Sequence, residues 1–329
     1  MRHPSQVLFA GEQPFPMMPA VDHYAGSEKL MYKALQLQNE LGPIFDVTCD
    51  CEDGAAAGAA REHAEMVAAV IMSDANQHGR VGVRIHDLSH PHWQQDIEII
   101  VTRAGRRLAF VTLPKVRGSD DVRRLLGELS RATTAAGLDR QIPVHVLIET
   151  HGALREVWDI AALPVVESLD FGLMDFVSGH HGAIPGSAMQ SPGQFEHPLV
   201  VRAKCEISAA ALANGAVPSH NVTTELKDLD VIRDNAQRAR NEFGYLRMWS
   251  IHPNQIVPIF EAMRPDFSEV EDAAAILVAA QDCEWGPIQH HGKLHDRASY
   301  RYYWELLRRA RATGMSLRED IKQRFFGSP

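Results

Sequence analysis

The sequence predicts an α/β protein folded as one (β/α)8, or TIM, barrel followed by a C-terminal helical cap or lid. Three observations lead there. Apolar segments of strand length alternate with segments of helical periodicity, at a repeat of roughly 30 to 40 residues. The strand-like segments are nearly continuous apolar runs, as in a parallel sheet buried on both faces. Eight such rounds fit within residues 1–264 of the 329, and eight is the number that closes a barrel.

In chain order, QVLFA at residues 6–10 reads as the first strand, and Pro14, Pro16 and Pro19 keep the following loop from being helical. Residues 27–41 place Leu30, Ala34, Leu35 and Leu37 at helical spacing, and Gly42-Pro43 stops that helix. PIFDVTCDC at 43–51 is the second strand, and the small and apolar residues of 55–73 form the next helix. RVGVRIH at 80–86 and LAFVTLPK at 108–115 are the third and fourth strands, with residues 96–101 inside the intervening helix. Residues 120–136 carry Leu125, Leu126 and Leu129 on one helical face. IPVHVLIET at 142–150 and LDFGLMDF at 169–176 are the fifth and sixth strands, separated by a helix near 152–163.

The glycine- and proline-rich stretch 178–197 reads as a long loop, uncommon in a compact domain unless it serves a function. A helix at 199–215, the strand AVPSHN at 216–221, a helix at 227–243 and the strand LRMWSIHP at 246–253 complete eight rounds. From residue 265 the pattern changes to helices at 270–281 and 300–312 around a His- and Gly-rich loop. Residues 265–329 exceed what a barrel needs and read as a lid or oligomerisation segment.

Composition excludes several classes. A net charge of −9 argues against non-specific nucleic-acid binding, which needs a basic face. No apolar run reaches membrane-spanning length, and the N-terminus lacks a signal-peptide segment. The four scattered cysteines suit a reducing cytoplasm, where the sequon Asn221-Val222-Thr223 would carry no sugar. G-x-S-x-G, Walker A and G-x-G-x-x-G motifs are missing, which removes the corresponding hydrolase, P-loop and dinucleotide readings.

The residues suited to chemistry sit at strand ends. The fifth and sixth strands each end in one acid, Glu149 and Asp175. Neighbouring strands lie about 4.8 Å apart, so two such acids can share a hard cation such as Mg²⁺, although either could instead cap the following helix. Arg84 lies between valine and isoleucine in VGVRIH and should face the barrel mouth with a partner, since an unpaired buried charge costs several kcal/mol. Its planar fork suits a carboxylate. In Asp50-Cys51-Glu52-Asp53, three acids crowd one turn. They either cap a helix or hold an arginine, and Glu52 and Asp53 are candidates for the substrate side. Lys115 ends the fourth strand and is less specific. His291 and His295 stand four apart, as zinc ligands on one helical turn would, but Gly292 lies between them and no HExxH pattern is present. Loop histidines are the plainer reading.

DVTCDCEDG, VGVRIHD, VTLPKV, VLIET, LDFGLMDF and SIHPNQI, in this order and at these spacings, resemble the citrate lyase β-subunit-like proteins of the HpcH/HpaI aldolase superfamily, which includes malyl-CoA lyases. The resemblance covers roughly residues 44 to 300. It implies a TIM barrel, a Mg²⁺ cofactor with Mn²⁺ as the alternative, and cleavage or formation of a C–C bond beside a 2-oxo acid. It places the metal on Glu149 and Asp175 and the oxo acid at Arg84. Gly292-Lys293-Leu294-His295-Asp296 matches a G-K-x-x-D segment whose aspartate acts in a neighbouring subunit's site, so Asp296 is implied as a catalytic acid in a homotrimer or homohexamer. The chain departs from the family pattern at Ser5-Gln6, at Ala10-Gly11 and at Arg247-Met248-Trp249-Ser250. The expected activity is that of a Mg²⁺-dependent lyase on a hydroxyacyl-CoA of malyl or citryl type. The alternatives are an aldolase on a free 4-hydroxy-2-oxo acid without CoA, and a non-catalytic barrel subunit.

Overall fold

A computed structural model describes residues 2–9, 15–55 and 58–327. Eight parallel strands close a barrel in chain order: β1 (Val21–Ala25), β2 (Phe45–Asp50), β3 (Val81–Arg84), β4 (Val111–Leu113), β5 (Val144–Ile148), β6 (Val166–Phe171), β7 (Val217–His220) and β8 (Arg247–Ser250). Closure is direct, with Val21, Asp22 and His23 of β1 opposite Met248, Trp249 and Ser250 of β8. Outward-facing valines and leucines such as Val47, Val83, Val146 and Leu169 pack with Val67, Ile97, Leu125 and Ile207 of the surrounding helices into one buried core. Each fully buried side chain of this kind contributes roughly 1.5 to 3 kcal/mol.

The barrel does not begin at residues 6–10. Pro4–Val7 is one helical turn, with proline at its start and the His3 backbone N–H donating to Gln6 Oε1 at 3.1 Å. Ala10, Gly11 and Pro14 lie outside the described residues. The first strand is VDHYA, in the stretch read as loop. Its Asp22, His23 and Tyr24 are buried, so it carries no apolar run to betray it. The helix expected at 55–73 is Ala60–Met72, and Ala56 and Ala57 lie outside the described residues. A helix not expected from the sequence, Pro253–Met263, follows β8 and contains Pro258.

The barrel interior is polar. Arg247 is fully buried, with Nη2 3.0 Å from Asp22 Oδ2 and Nη1 bonded to Asp46. Thr48 donates to Asp22 at 2.6 Å, and Arg80 reaches Asp46 at 2.7 Å. Removing one member of such a buried set costs about 3 to 5 kcal/mol, because the other charge is left unpaired.

The chain divides into two compact units, one of residues 18–263 and one of residues 264–329 with the segment before Met18. The second unit contains the helices Phe267–Asp282, Arg297–Ala312 and Glu319–Phe326 and the antiparallel hairpin β9 (Ile288–His290) and β10 (Lys293–His295). Its N-terminal piece is tied in by hydrogen bonds from Trp285 Nε1 and Gln281 Nε2 to the Arg2 carbonyl, at 3.1 and 3.0 Å. No helix of the described residues is long and apolar enough to cross a membrane.

Candidate active site

At the C-terminal ends of the strands lies a cavity of about 330 Å³, lined among others by Tyr24, Arg84, Glu149, Asp175, Asn221 and Trp249. In this fold that end of the barrel carries the chemistry.

Arg84 is the last residue of β3 and stands in register with Asp50, the last residue of β2. That register makes the pair bidentate: Nε donates to Oδ1 at 2.8 Å and Nη2 to Oδ2 at 2.5 Å. The loop after β2 wraps the same carboxylate, with Glu52 N–H at 3.0 Å and Gly54 N–H at 2.8 Å. Gly54 is required here, since a Cβ would lie 2.3 Å from Asp50 Oδ2. Glu52 takes Arg84 Nη1 at 3.0 Å and Lys115 Nζ at 2.6 Å. Burial alone would lower the guanidinium pKa, but Asp50 and Glu52 outweigh it and hold the group above its ordinary value. The guanidinium also lies 5.3 Å from the centre of the Tyr24 ring, which stacks on Trp249 at 4.6 Å.

Lys115 follows β4 with φ 48°, an uncommon left-handed conformation for a non-glycine residue. Its N–H donates to Glu149 Oε1 at 2.7 Å while its ammonium reaches Glu52. The strained residue thus couples the arginine cluster to Glu149.

Glu149 directly follows β5 and is 4% exposed. Asp175 is not at the end of a strand, as the sequence suggested. β6 ends at Phe171, Gly172 breaks it, and Asp175 lies in the first turn of the helix Leu173–Ser178. Gly172 leaves room for the acid beside it, because a Cβ there would sit 2.2 Å from Glu149 Oε2. Burial and then the charge of Asp175 push the Glu149 carboxyl up to about 8. Two acids in one cavity, one of them buried and disfavoured as an anion, suit a cation between them. The lining contains no cysteine or histidine, so oxygen donors dominate and a hard ion such as Mg²⁺ or Mn²⁺ fits better than zinc.

The remaining sequence candidates fall elsewhere. Glu52 does not line the cavity but holds Arg84 from behind. Asp53 has its side chain 57% exposed and pairs with Lys115 at 2.9 Å, also outside the cavity lining. Asp296 belongs to the second unit, where it is the N-cap of Arg297–Ala312 and accepts from Ala298 N–H at 3.0 Å. His291 and His295 share a hairpin rather than a helical turn, because Gly292 takes φ 76° between them.

Sequence reasoning missed Tyr24, Trp249 and Asn221. The available signal for Tyr24 was the strand-favouring valine and tyrosine of VDHYA, just before the helix at Glu28. Asn221 had none. Its amide is pinned by Gln194 at 2.9 Å and by the fully buried Lys204 at 2.7 Å, contacts between residues far apart in the chain.

The family profile of HpcH/HpaI aldolase/citrate lyase matches residues 45–253. A crystal structure of a citrate lyase from Burkholderia xenovorans LB400 is 55% identical, superposes with a TM-score of 0.88, and covers 99% of this chain and 100% of its own. An L-malyl-CoA/beta-methylmalyl-CoA lyase from Cereibacter sphaeroides is 27% identical over 243 residues, 70% of this chain and 76% of that protein. The protein CitE of Mycobacterium tuberculosis, solved with magnesium, acetoacetate and coenzyme A, is 20% identical with a TM-score of 0.68 over 89% of this chain and 98% of its own, which shows the shared fold.

Proposed function

The chain belongs to the HpcH/HpaI aldolase/citrate lyase family and is a lyase, and from that premise we propose that it cleaves or forms a hydroxyacyl-CoA thioester, releasing or consuming a 2-oxo acid, with Mg²⁺ on Glu149 and Asp175. The observation that carries this reading is one cavity holding the fork of Arg84 and the two acids. The relatives named as malyl-CoA lyases support the thioester.

Arg84 has five N–H donors; two bond Asp50, and Nη1 stands 3.0 Å from Glu52 Oε2 in an ion pair. The remaining donors serve to bind the substrate carboxylate, and the cluster behind them holds the fork rigid before substrate arrives. A cation bound by Glu149 and Asp175 would supply Lewis-acid polarisation of the substrate oxygen that becomes the oxo-acid carbonyl. In the cleavage direction the substrate hydroxyl gives its proton to solvent as its oxygen becomes the carbonyl, the C–C bond breaks, and its electron pair stays on the acyl carbon as an enolate. Tyr24 and Trp249 wall the cavity and keep water from that carbon. We assign protonation of the acyl carbon to Asp296, acting from a neighbouring subunit.

The test is turnover of malyl-CoA against turnover of a free 4-hydroxy-2-oxo acid, each with Mg²⁺ and with a chelator. Cleavage of the thioester only with Mg²⁺ is expected. Cleavage of the free acid alone would replace this reading with that of a CoA-independent aldolase.

A further inference from the structure

The second unit contains a cluster of metal-ligating side chains that this chemistry does not use. β9 and β10 pair His290 with Lys293 and turn through His291 and Gly292, at φ 46° and 76°. A two-residue hairpin turn of this kind needs positive φ at both positions, and Asn-Gly or Asp-Gly is the usual solution. Histidine here brings its ring against that of His290, with centroids 4.1 Å apart. Asp272, on the helix Phe267–Asp282, faces both rings. Its Oδ1 lies 3.6 Å from His290 Nε2 and 3.8 Å from His291 Nε2. One ligand atom from each residue lies within 4.8 Å of the other two.

These separations are too long for hydrogen bonds, and His290 Nε2 is buried without a hydrogen-bond partner. Three donors therefore converge without satisfying one another. With bonds of about 2.0 to 2.2 Å, ligand atoms around one tetrahedral zinc stand roughly 3.3 Å apart, so small rotations would close the set. We propose that Asp272, His290 and His291 form a second metal site, separate from Glu149 and Asp175, for a divalent transition metal of the Zn²⁺ type. Two imidazoles favour such an ion over Mg²⁺, which prefers oxygen. Asp272 and His291 have side chains 58% and 75% exposed, so the ion enters from solvent without any opening of the fold. Three protein ligands leave the remaining position to water. Bound metal ties the hairpin tip to the helix Phe267–Asp282, and the hairpin runs directly into Asp296 through His295.

The test uses the full chain and Zn²⁺ alone, titrated in competition with a chromophoric chelator in excess Mg²⁺. Co²⁺ absorption serves as a second readout of coordination. One Zn²⁺ per chain should bind with a Kd on the order of 1 μM, and His291→Asn and Asp272→Asn should each weaken it by about tenfold or more. Asparagine at 291 keeps a residue suited to the left-handed turn while removing the imidazole. Asp272→Asn gives the same reading if the turn variant folds poorly. Binding weaker than about 100 μM, displacement by Mg²⁺, or unchanged affinity in both variants would overturn the proposal.

Discussion

Arg84 shows how far one residue can be read. An arginine inside an apolar strand run had to find partners, and VGVRIH made that visible. What the sequence could not show is that Asp50 and Glu52 take it from two sides, because the register of β2 against β3 decides that. Lysine at this position would keep the charge and lose the fork, so it cannot hold Asp50 bidentately and still offer donors to a substrate carboxylate. Arg84→Lys should lower kcat/KM by at least about tenfold, equivalent to about 1.4 kcal/mol of transition-state stabilisation. Steady-state kinetics on the thioester measure this, and unchanged constants would remove Arg84 from the substrate site.

At the scale of elements, β2 to β8 were legible as strand-like segments alternating with helical ones, since their outward faces pack on helices. β1 was not, since Asp22 and Tyr24 point into the polar interior and proline-rich sequence precedes it. Asp175 was misplaced because LDFGLMDF is apolar apart from Asp170 and Asp175, and only Gly172 marks where strand gives way to helix. The interior layer also makes a pH prediction. Asp170 of β6 is fully buried, and burial first, with Asp22 adding to it, pushes its carboxyl up to about 6 against His145 and Arg247. The folded chain therefore binds this proton more tightly than the unfolded chain does. Its contribution to stability is greatest below about pH 4 and is lost as pH rises towards 6. Asp170→Asn removes that titration. The stability of the variant relative to the native chain should increase by up to about 3 kcal/mol between pH 4 and 7. Denaturant unfolding across that range checks it, and a difference independent of pH would contradict it.

At the scale of the whole molecule, the question is where the second unit acts. It takes residues 264–329 together with the segment before Met18, and the joining of that N-terminal segment was not readable in the sequence, because it rests on contacts such as Trp285 with Arg2. If Asp296 serves a neighbour's barrel, Glu149→Gln and Asp296→Asn are each inactive alone but complement when mixed under conditions of subunit exchange. Activity that stays at the level of the separate variants despite proven exchange would end the shared-site assignment. That Glu149 and Asp175 hold the cation on which the reaction depends is tested most directly by the Mg²⁺ dependence of 2-oxo acid release from malyl-CoA, in the native chain and in Glu149→Gln. The native chain should respond to Mg²⁺ in a saturable way. The variant should remain folded, lose the response and fall by about a thousandfold in turnover, the several kcal/mol that a catalytic metal supplies. A Glu149→Gln enzyme that kept native activity and native Mg²⁺ affinity would show that the cation sits elsewhere.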